Sequence, residues 1–244
     1  MTAAPTATTE IEGQLSKEER QLLTDTLLQM PEKPQITVEV GTWLGGGSTA
    51  TILRALHKNG AGHLWGVEAT KDIYEKMLAN IAAAVPEAAS RFTPLFGFSD
   101  AVLPEWLGTL PAGAMIDLAF LDGGDNPAEQ ITEFHLLAPR TKIGGVIMGH
   151  DANMRKGKWF VPYVSLLDNW KSEVFDYSPH GLFFARKIRQ EPSPESLDAA
   201  EKKLRSLKMQ PIDLVARMLP SSFKGFALRA MPKPVFQFLF KGRK

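Results

Sequence analysis

The chain has 244 residues, of which 44% are apolar and 23% are charged, and its formal net charge is +1. These proportions are typical of a globular protein, and the near-zero total charge identifies no partner. The absence of cysteine excludes disulfides, thiolate zinc sites and cysteine catalysis. No apolar run reaches the roughly 18–20 residues of a membrane-spanning helix. The first ten residues, MTAAPTATTE, lack the basic start and apolar core of a secretory signal, so we expect a disordered leader and a cytoplasmic protein.

In chain order, the apolar periodicity first predicts a helix over 15–28, which Pro31 and Pro34 end. Five strand–helix pairs follow: 36–40 with 48–56, 64–67 with 72–85, 92–95 with 101–107, 115–121 with 128–137, and 145–148 with 159–170. Strands over 173–177 and 182–188 surround a short connection and are therefore antiparallel. We predict an α/β fold, a Rossmann-like three-layer sandwich. Its seven-stranded sheet is mostly parallel and ends in an antiparallel hairpin.

Charge is distributed unevenly between this part of the chain and the rest. From Glu201 onward there are 11 basic and two acidic residues, a balance of +9, whereas the preceding 200 residues carry −8. Ser193 and Pro194 are typical of a helix start, and an apolar seam of Leu197, Ala200, Leu204 and Leu207 follows. We therefore divide the chain into a leader with its helix (1–34), a central domain (35–190) and a basic helical extension (191–244).

A glycine-rich loop, VEVGTWLGGGS, joins the first predicted strand to the helix that begins near Ser48. Glycines allow a ligand to approach the backbone closely, and a helix start offers free N–H groups to an anion. A nicotinamide dinucleotide site requires Gly-x-Gly-x-x-Gly, whereas the spacing here from Gly41 is Gly-x-x-x-Gly-Gly-Gly. The spacing argues against a dinucleotide.

Four later segments follow this loop in register: LWGVEAT, GFSDAVLPEWL, IDLAFLDGGDN and GGVIMGHDA. In order and separation, the five segments resemble those of class I S-adenosylmethionine-dependent methyltransferases, and more narrowly the small-molecule O-methyltransferases. The resemblance covers roughly residues 36–187. It implies the fold described above and S-adenosylmethionine as cofactor, and it does not identify the substrate.

The resemblance also implies a set of cofactor-binding residues. Around the methionine end these are Glu39, Gly41, Thr42, Gly45, Gly46 and Ser48, and at the ribose and adenine they are Glu68, Phe98, Ser99 and Asp100. Asp122 is a further cofactor-binding residue of the set. Glu39 is expected to meet the ammonium group directly or through water, and Glu68 is expected to accept hydrogen bonds from the ribose hydroxyls. Ser99 and Asp100 could instead cap the following helix. Trp43 either covers the ligand or packs against the first helix.

Asp122 and Asp151 each follow a central strand, so both are predicted at the carboxyl edge of the sheet. In metal-dependent O-methyltransferases, residues at matching positions bind magnesium together with an asparagine next to the second aspartate. Here the asparagine, Asn153, stands one position later, and the basic residue of the catechol-type enzymes is replaced by the stretch 123–125, Gly-Gly-Asp. The predicted metal site is Asp122, Asp151 and Asn153, with Mg²⁺ as the suggested ion.

Methyl transfer requires an aligned acceptor and, for a hydroxyl, loss of a proton to a base or with the help of a metal. His150 is the first candidate base because its pKa range suits proton transfer near neutrality. The alternative is a structural histidine at the sheet edge. His180, in the hairpin turn, either faces the same pocket or is solvated.

The extension after Pro192 lies outside the resemblance and contains an apolar run, VFQFLF, at 235–240. It could fold back, form a homodimer, or contact a membrane or an acidic partner, and dimer packing is favoured. No stacking or recognition motif indicates nucleic acid. The predicted function is methyl transfer from S-adenosylmethionine to a hydroxyl of a small molecule. The alternative is an inactive S-adenosylmethionine-binding module that acts through its basic extension.

Overall fold

The computed structural model describes residues 11–209, which form one seven-stranded sheet with helices on both faces. The strands are β1 (Ile36–Val40), β2 (His63–Glu68), β3 (Phe92–Phe96), β4 (Ile116–Leu121), β5 (Thr141–His150), β6 (Trp170–Phe175) and β7 (Leu182–Lys187). The helices are α1 (Lys17–Leu28), α2 (Ser48–Asn59), α3 (Lys71–Ala84), α4 (Ser99–Thr109), α5 (Pro127–Leu137), α6 (Gly157–Val164) and α7 (Pro194–Lys208). The predicted fold class is confirmed.

The strand order is β3-β2-β1-β4-β5-β7-β6. The first five strands in this order are parallel, and β7 runs antiparallel to both β5 and β6. The chain proceeds outward from β1 to β3 and then returns to place β4 on the other side of β1. The order therefore reverses between β1 and β4, which is where open α/β sheets bind their ligands.

The two faces of the sheet bury separate apolar clusters because successive side chains of a strand point to opposite faces. On β4, Leu118 and Phe120 join the cluster under α1, α2 and α3, whereas Ala119 and Leu121 join the cluster under α4, α5, α6 and α7. All six residues of β4 are buried. This explains why its sequence, IDLAFL, is apolar on nearly all positions.

The predicted helix over 159–170 is wrong in its second half. Helix α6 ends at Val164, and Trp170 is already the first residue of β6, where it pairs with Lys187. The Asn169 carbonyl accepts the N–H of Ile188, the residue after β7, at 2.8 Å. Pairing between the two segments therefore already begins at the residue before Trp170. Trp170 is buried as a strand residue. Its apolar side chain is equally compatible with a buried helix position, so the sequence alone does not distinguish a helix from a strand here.

Both terminal segments pack onto the domain where the structure describes them. Leu23 and Leu27 of α1 are buried against α2, and Ala200 and Leu204 of α7 are buried in the cluster beside α6. Leu197, predicted in the same seam, is 40% exposed. Residues 210–244, with the 235–240 run and the predicted dimer contact, lie outside the described residues, and the domain division stays a prediction. Within 11–209, no helix has the length and hydropathy needed to cross a membrane.

Candidate active site

A cavity of about 780 Å³ opens at the carboxyl ends of β1, β2 and β4, next to the point where the strand order reverses. It contains many of the residues that the sequence predicted. Those that line it are Gly41, Thr42, Ser48, Glu68, Phe98, Ser99, Asp100, Asp122 and Asp151. Predicted residues outside its lining are Glu39, Gly45, Gly46, His150 and Asn153.

Gly41 lies where the ends of three strands converge. Its N–H donates to the Val67 carbonyl at 2.9 Å, while the Asp122 N–H donates to the Val40 carbonyl at 2.8 Å. The φ angle of Gly41 is +86°, and a Cβ at this position would lie 2.2 Å from the Asp122 carbonyl oxygen. Glycine is therefore required here for both conformation and space.

The other glycines of the loop have different roles. A Cβ on Gly45 would lie 3.0 Å from the side chain of Ile81 in α3, and one on Gly46 would lie 2.2 Å from the carbonyl oxygen of Glu12. These two glycines pack against protein. Gly47 and Ser48, at the start of α2, line the cavity instead. Among the described residues, no side chain caps this end of the helix. Free N–H groups at this end suit a carboxylate.

Glu39 lies beneath the glycine loop and is fully buried. The Ser48 hydroxyl donates to its Oε1, and its Oε2 has no hydrogen-bond partner among residues 11–209. Burial raises the pKa of Glu39 to about 8, so the side chain is largely neutral at pH 7. Glu39 does not line the cavity, and its contact with a ligand ammonium, direct or through water, stays a prediction.

Glu68 ends β2 and lines the cavity with 8% of its surface exposed. Its Oε2 accepts the N–H of Trp43 at 3.0 Å, and its Oε1 accepts the N–H of Thr70 at 2.8 Å. Each carboxylate oxygen keeps a further lone pair for a ligand hydroxyl. The two backbone bonds fix the carboxylate before any ligand arrives. Trp43, at φ +45°, lines the cavity.

The far end of the cavity carries Phe98, which is 73% exposed, and Ser99. The Ser99 hydroxyl donates to Oε1 of Glu133 at 2.7 Å. The capping alternative is not observed, since the N-cap position of α4 is Phe98 and no side chain caps it in the described chain. Asp100 also lines the cavity in the first turn of α4.

Glu133 is a cavity residue that sequence reasoning missed. It is 2% exposed, its Oε2 has no hydrogen-bond partner within 11–209, and burial raises its pKa to about 7. The available signal was its position on the buried face of α5, where Ile131, Phe134 and Leu137 also lie. An acidic residue on such a face needs a reason to be there.

Lys156 is the second residue that was missed, and it lies at the centre of the predicted metal site. Its Nζ is 2.6 Å from Oδ1 of Asp122 and 2.9 Å from Oδ2 of Asp151, and it donates to the Gly123 carbonyl at 3.2 Å. The side chain is 3% exposed. Burial opposes its charge, but Asp122 and Asp151 outweigh burial and raise the pKa of Lys156. The ammonium group is therefore a fixed positive charge between two carboxylates.

His150 is 1% exposed and lies behind these carboxylates, outside the cavity. Its Nδ1 is 3.3 Å from Oδ1 of Asp122 and 3.6 Å from Oδ1 of Asp151, and its Nε2 is 3.7 Å from Oε2 of Glu19. Burial disfavours the charged ring, but Asp122 and Glu19 outweigh burial and raise the pKa of His150 to about 10. A protonated imidazole has no lone pair for a proton, so this placement argues against His150 as the base.

The same cluster connects α1 and the hairpin to the site. Glu19 forms a capping box with Ser16 at the start of α1, and its Oε1 accepts the Ser178 hydroxyl at 2.7 Å. His180 lies 2.6 Å from Asp151 through its Nδ1, and its ring stacks on His150 at 5.8 Å between centroids. His180 is thus half-exposed, as the solvated alternative predicts, and it contacts Asp151 without lining the cavity.

The residues do not fit a resident divalent metal. One ligand atom each from Asp122, His150 and Asp151 lies within 4.8 Å of the others. However, the Lys156 ammonium group occupies the space between the two aspartates, and its Nζ already contacts the oxygens that a metal would use. The predicted third ligand, Asn153, donates its amide to Oδ1 of Asp176 at 2.7 Å instead. The one-residue displacement of Asn153 from the family pattern has turned it toward the hairpin.

Stability should fall as pH rises from 6.5 to 10, because His150 is charged in the folded protein over that range. Its pKa is raised from 6.5 to about 10 by Glu19, Asp122 and Asp151, so its contribution is complete below pH 6.5 and is lost as pH approaches 10. Replacing His150 with glutamine should remove up to about 5 kcal/mol at pH 6.5 and much less at pH 10. Urea unfolding of both proteins across this range measures the difference.

The comparison between the two proteins isolates His150. The buried Glu39 and Glu133, whose pKa values are raised to about 8 and about 7, also titrate in this range, but they do so in both proteins. A difference in unfolding free energy that does not change with pH would show that His150 is neutral in the folded chain.

Comparison with known proteins agrees with this geometry. Residues 38–152 match the family model of a methyltransferase domain. No curated protein matches the chain significantly. This match agrees with the predicted resemblance to class I S-adenosylmethionine-dependent methyltransferases, which is confirmed.

Solved structures share the fold. An O-methyltransferase from Bacillus cereus in complex with SAH is 18% identical, with a TM-score of 0.61 over 71% of this chain and 82% of that one. The O-methyltransferase TomG from Streptomyces achromogenes, involved in tomaymycin synthesis and solved with SAM, is also 18% identical, with a TM-score of 0.59 over 72% and 82%. An rRNA methylase from Streptococcus thermophilus is 14% identical, with a TM-score of 0.54 over 69% and 95%. At these identities the fold is common to proteins with different substrates.

Proposed function

We propose that the chain transfers the methyl group of S-adenosylmethionine to a hydroxyl group of a small molecule. The observation that carries the proposal is a single cavity that joins the uncapped start of α2, the fixed carboxylate of Glu68 and the group formed by Asp122, Asp151 and Lys156. A cofactor site and a charged acceptor site are thus continuous.

The cofactor supplies a methyl group that its sulfonium activates for in-line displacement. In the proposed orientation, the free N–H groups at Gly47 and Ser48 hold the methionine carboxylate, and Glu68 accepts hydrogen bonds from the ribose. Phe98, Ser99 and the unpartnered Oε2 of Glu133 surround the adenine. This orientation brings the methionine end of the cofactor to Gly41, whose neighbour across the strand ends is Asp122.

Asp122 and Asp151 are the proposed acceptor-binding residues because both line the cavity beside Gly41. A hydroxyl that donates its hydrogen to one of these carboxylates directs an oxygen lone pair away from it, toward the methyl group. As the new C–O bond forms and the C–S bond breaks, the oxygen gains positive charge and its proton passes to the carboxylate. Lys156 lowers the pKa of Asp151, against the effect of burial, so the carboxylate stays ionised to receive that proton.

A substrate screen that follows S-adenosylhomocysteine release tests the proposal. We expect S-adenosylmethionine to bind and a subset of small hydroxyl compounds to produce S-adenosylhomocysteine, with no release from total RNA. The Asp151→Asn variant should lower turnover at least about 100-fold, since it removes the proposed proton acceptor, while leaving cofactor affinity within about threefold.

Cofactor binding without release from any hydroxyl compound would contradict the proposal. That result would favour the alternative of an inactive binding module that acts through the basic extension. Release that is unchanged in Asp151→Asn would show that the acceptor binds elsewhere in the cavity.

A further inference from the structure

We infer that Lys156 is the resident cation of this active site: its ammonium group takes the position between Asp122 and Asp151 that a divalent metal would need, and the protein holds no metal there. The catalytic meaning of this inference rests on the proposed function, but the position of the cation does not.

The Lys156 ammonium group has an oxygen partner for each of its donors. An ammonium has three N–H donors, and here they meet Oδ1 of Asp122 at 2.6 Å, Oδ2 of Asp151 at 2.9 Å and the Gly123 carbonyl oxygen at 3.2 Å. All three acceptors are oxygens, which are also the ligands that Mg²⁺ prefers. Lys156 has therefore satisfied the same oxygens that would coordinate a metal.

Lys156 also balances the charge of the cluster around Asp122 and Asp151. Asp122 and Asp151 share the Lys156 ammonium group, and the imidazole rings of His150, on the buried side, and His180, on the exposed side, lie beside the same carboxylates. A divalent ion added between the two aspartates would lie within a few ångströms of the Lys156 ammonium group. It could enter only if Lys156 left, and Lys156 is buried among its partners.

The loop after β5 fixes Lys156 over the end of that strand. Asp151 adopts φ +59°, and the N–H of Ala152 donates to the Gly181 carbonyl at 3.0 Å, so the chain turns sharply after β5. Gly157 closes this turn, since a Cβ there would lie 2.4 Å from the Ala152 carbonyl oxygen. The tight return between Asp151 and Gly157 places Lys156 back above the end of its own strand.

The position of Lys156 has two consequences for the proposed reaction. It holds two neighbouring carboxylates in place, and it places a positive charge at the wall of the cavity next to the proposed acceptor oxygen. The basic residue that catechol-type enzymes carry just after the first aspartate is absent from 123–125. Lys156 supplies a cation to Asp122 from the loop after β5.

The test measures Mn²⁺ binding by electron paramagnetic resonance in the full chain, its Lys156→Met variant and a matched Lys187→Met variant. Lys187 is an equally buried lysine outside the site, where it donates to the carbonyls of Ala138 and Thr141. We expect the unaltered chain and Lys187→Met to bind no Mn²⁺ at the site. Lys156→Met should gain a saturable Mn²⁺ site, with an affinity at least roughly tenfold above the detection limit of the measurement, because Asp122 and Asp151 lose their shared cation. The double variant Lys156→Met/Asp151→Asn should lose this gain.

Two results would overturn the inference. One is a single bound Mn²⁺ in the unaltered chain that disappears in Asp151→Asn, a measurement that decides the matter even where Lys156→Met fails to fold. The other is a folded Lys156→Met variant with no increase in Mn²⁺ affinity. Neither depends on turnover. A chain that methylates nothing but shows the expected Mn²⁺ pattern would refute the proposed function and leave the role of Lys156 standing.

Discussion

Replacing Gly41 with alanine is expected to abolish cofactor binding and to destabilise the whole domain. The positive φ of Gly41 alone costs a residue with a Cβ about 1–2 kcal/mol. In addition, the new Cβ would lie 2.2 Å from the carbonyl oxygen of Asp122, a backbone atom that cannot rotate away. Relief requires β1 and β4 to separate at their carboxyl ends, which is where the cavity is formed. We expect a fall in melting temperature of at least about 6–12 °C and an affinity for S-adenosylmethionine lowered at least about 100-fold.

Gly60 provides a matched control for the strain in this experiment. It has a similar φ of +68°, caps the end of α2, and would have no atom within 4 Å of a Cβ added to it. Gly60→Ala should therefore show the conformational cost alone, about 2–8 °C in melting temperature, with unchanged cofactor affinity. Equal melting temperatures for the two variants would show that the close approach of Gly41 to Asp122 does not constrain the fold. Differential scanning calorimetry and titration calorimetry provide the two measurements.

The fold was predictable because its signals are local. The apolar runs around Val38 and Leu118 alternate with helical periodicity, and the turn at 178–181 is short enough to require an antiparallel hairpin. The failure at Trp170 has a local cause as well. An aromatic residue that follows a helix is compatible with one more turn of that helix, and only pairing with Lys187 decides for a strand. Such pairing is a contact between distant residues and leaves no trace in a short window.

The site divides in the same way. Gly41, Glu68, Asp122 and Asp151 were predicted to be together because each follows a strand, and the ends of parallel strands meet at one edge. Their partners come from elsewhere in the sequence. Lys156 meets Asp122 from 34 residues away, and Glu19 meets Ser178 from 159 residues away.

These partners changed the predicted chemistry more than the predicted location. His150 has the pKa range of a base when it is considered alone, but it lies outside the cavity, and Asp122 and Glu19 raise its pKa against the effect of burial. The aspartates have the composition of a metal site when they are considered alone, but a lysine already lies between them. Protonation and ligand choice depend on neighbours in space, and motif spacing does not encode them.

Replacing Glu68 with glutamine is expected to lower the affinity for S-adenosylmethionine at least about 100-fold, because two charge-assisted hydrogen bonds to the ribose hydroxyls are lost. The variant also turns one of its two acceptor oxygens into an amide, which faces either the N–H of Trp43 or that of Thr70. Two explanations of a weaker affinity are therefore available: direct loss of ribose contacts, or displacement of the glycine loop through Trp43.

The choice of ligand separates these explanations. 5′-Methylthioadenosine contains the ribose and adenine of the cofactor but lacks the carboxylate that α2 is proposed to hold. If Glu68 binds the ribose, Glu68→Gln should weaken methylthioadenosine and S-adenosylhomocysteine by the same factor in titration calorimetry. If Glu68 acts through Trp43 and the loop, only S-adenosylhomocysteine should weaken. Glu129→Gln is the control, since Glu129 is a carboxylate of the same cavity with no proposed ligand contact, and it should change either affinity by less than about threefold. Unchanged binding of both ligands by Glu68→Gln would remove the ribose from the carboxyl end of β2, and with it the proposed orientation of the cofactor.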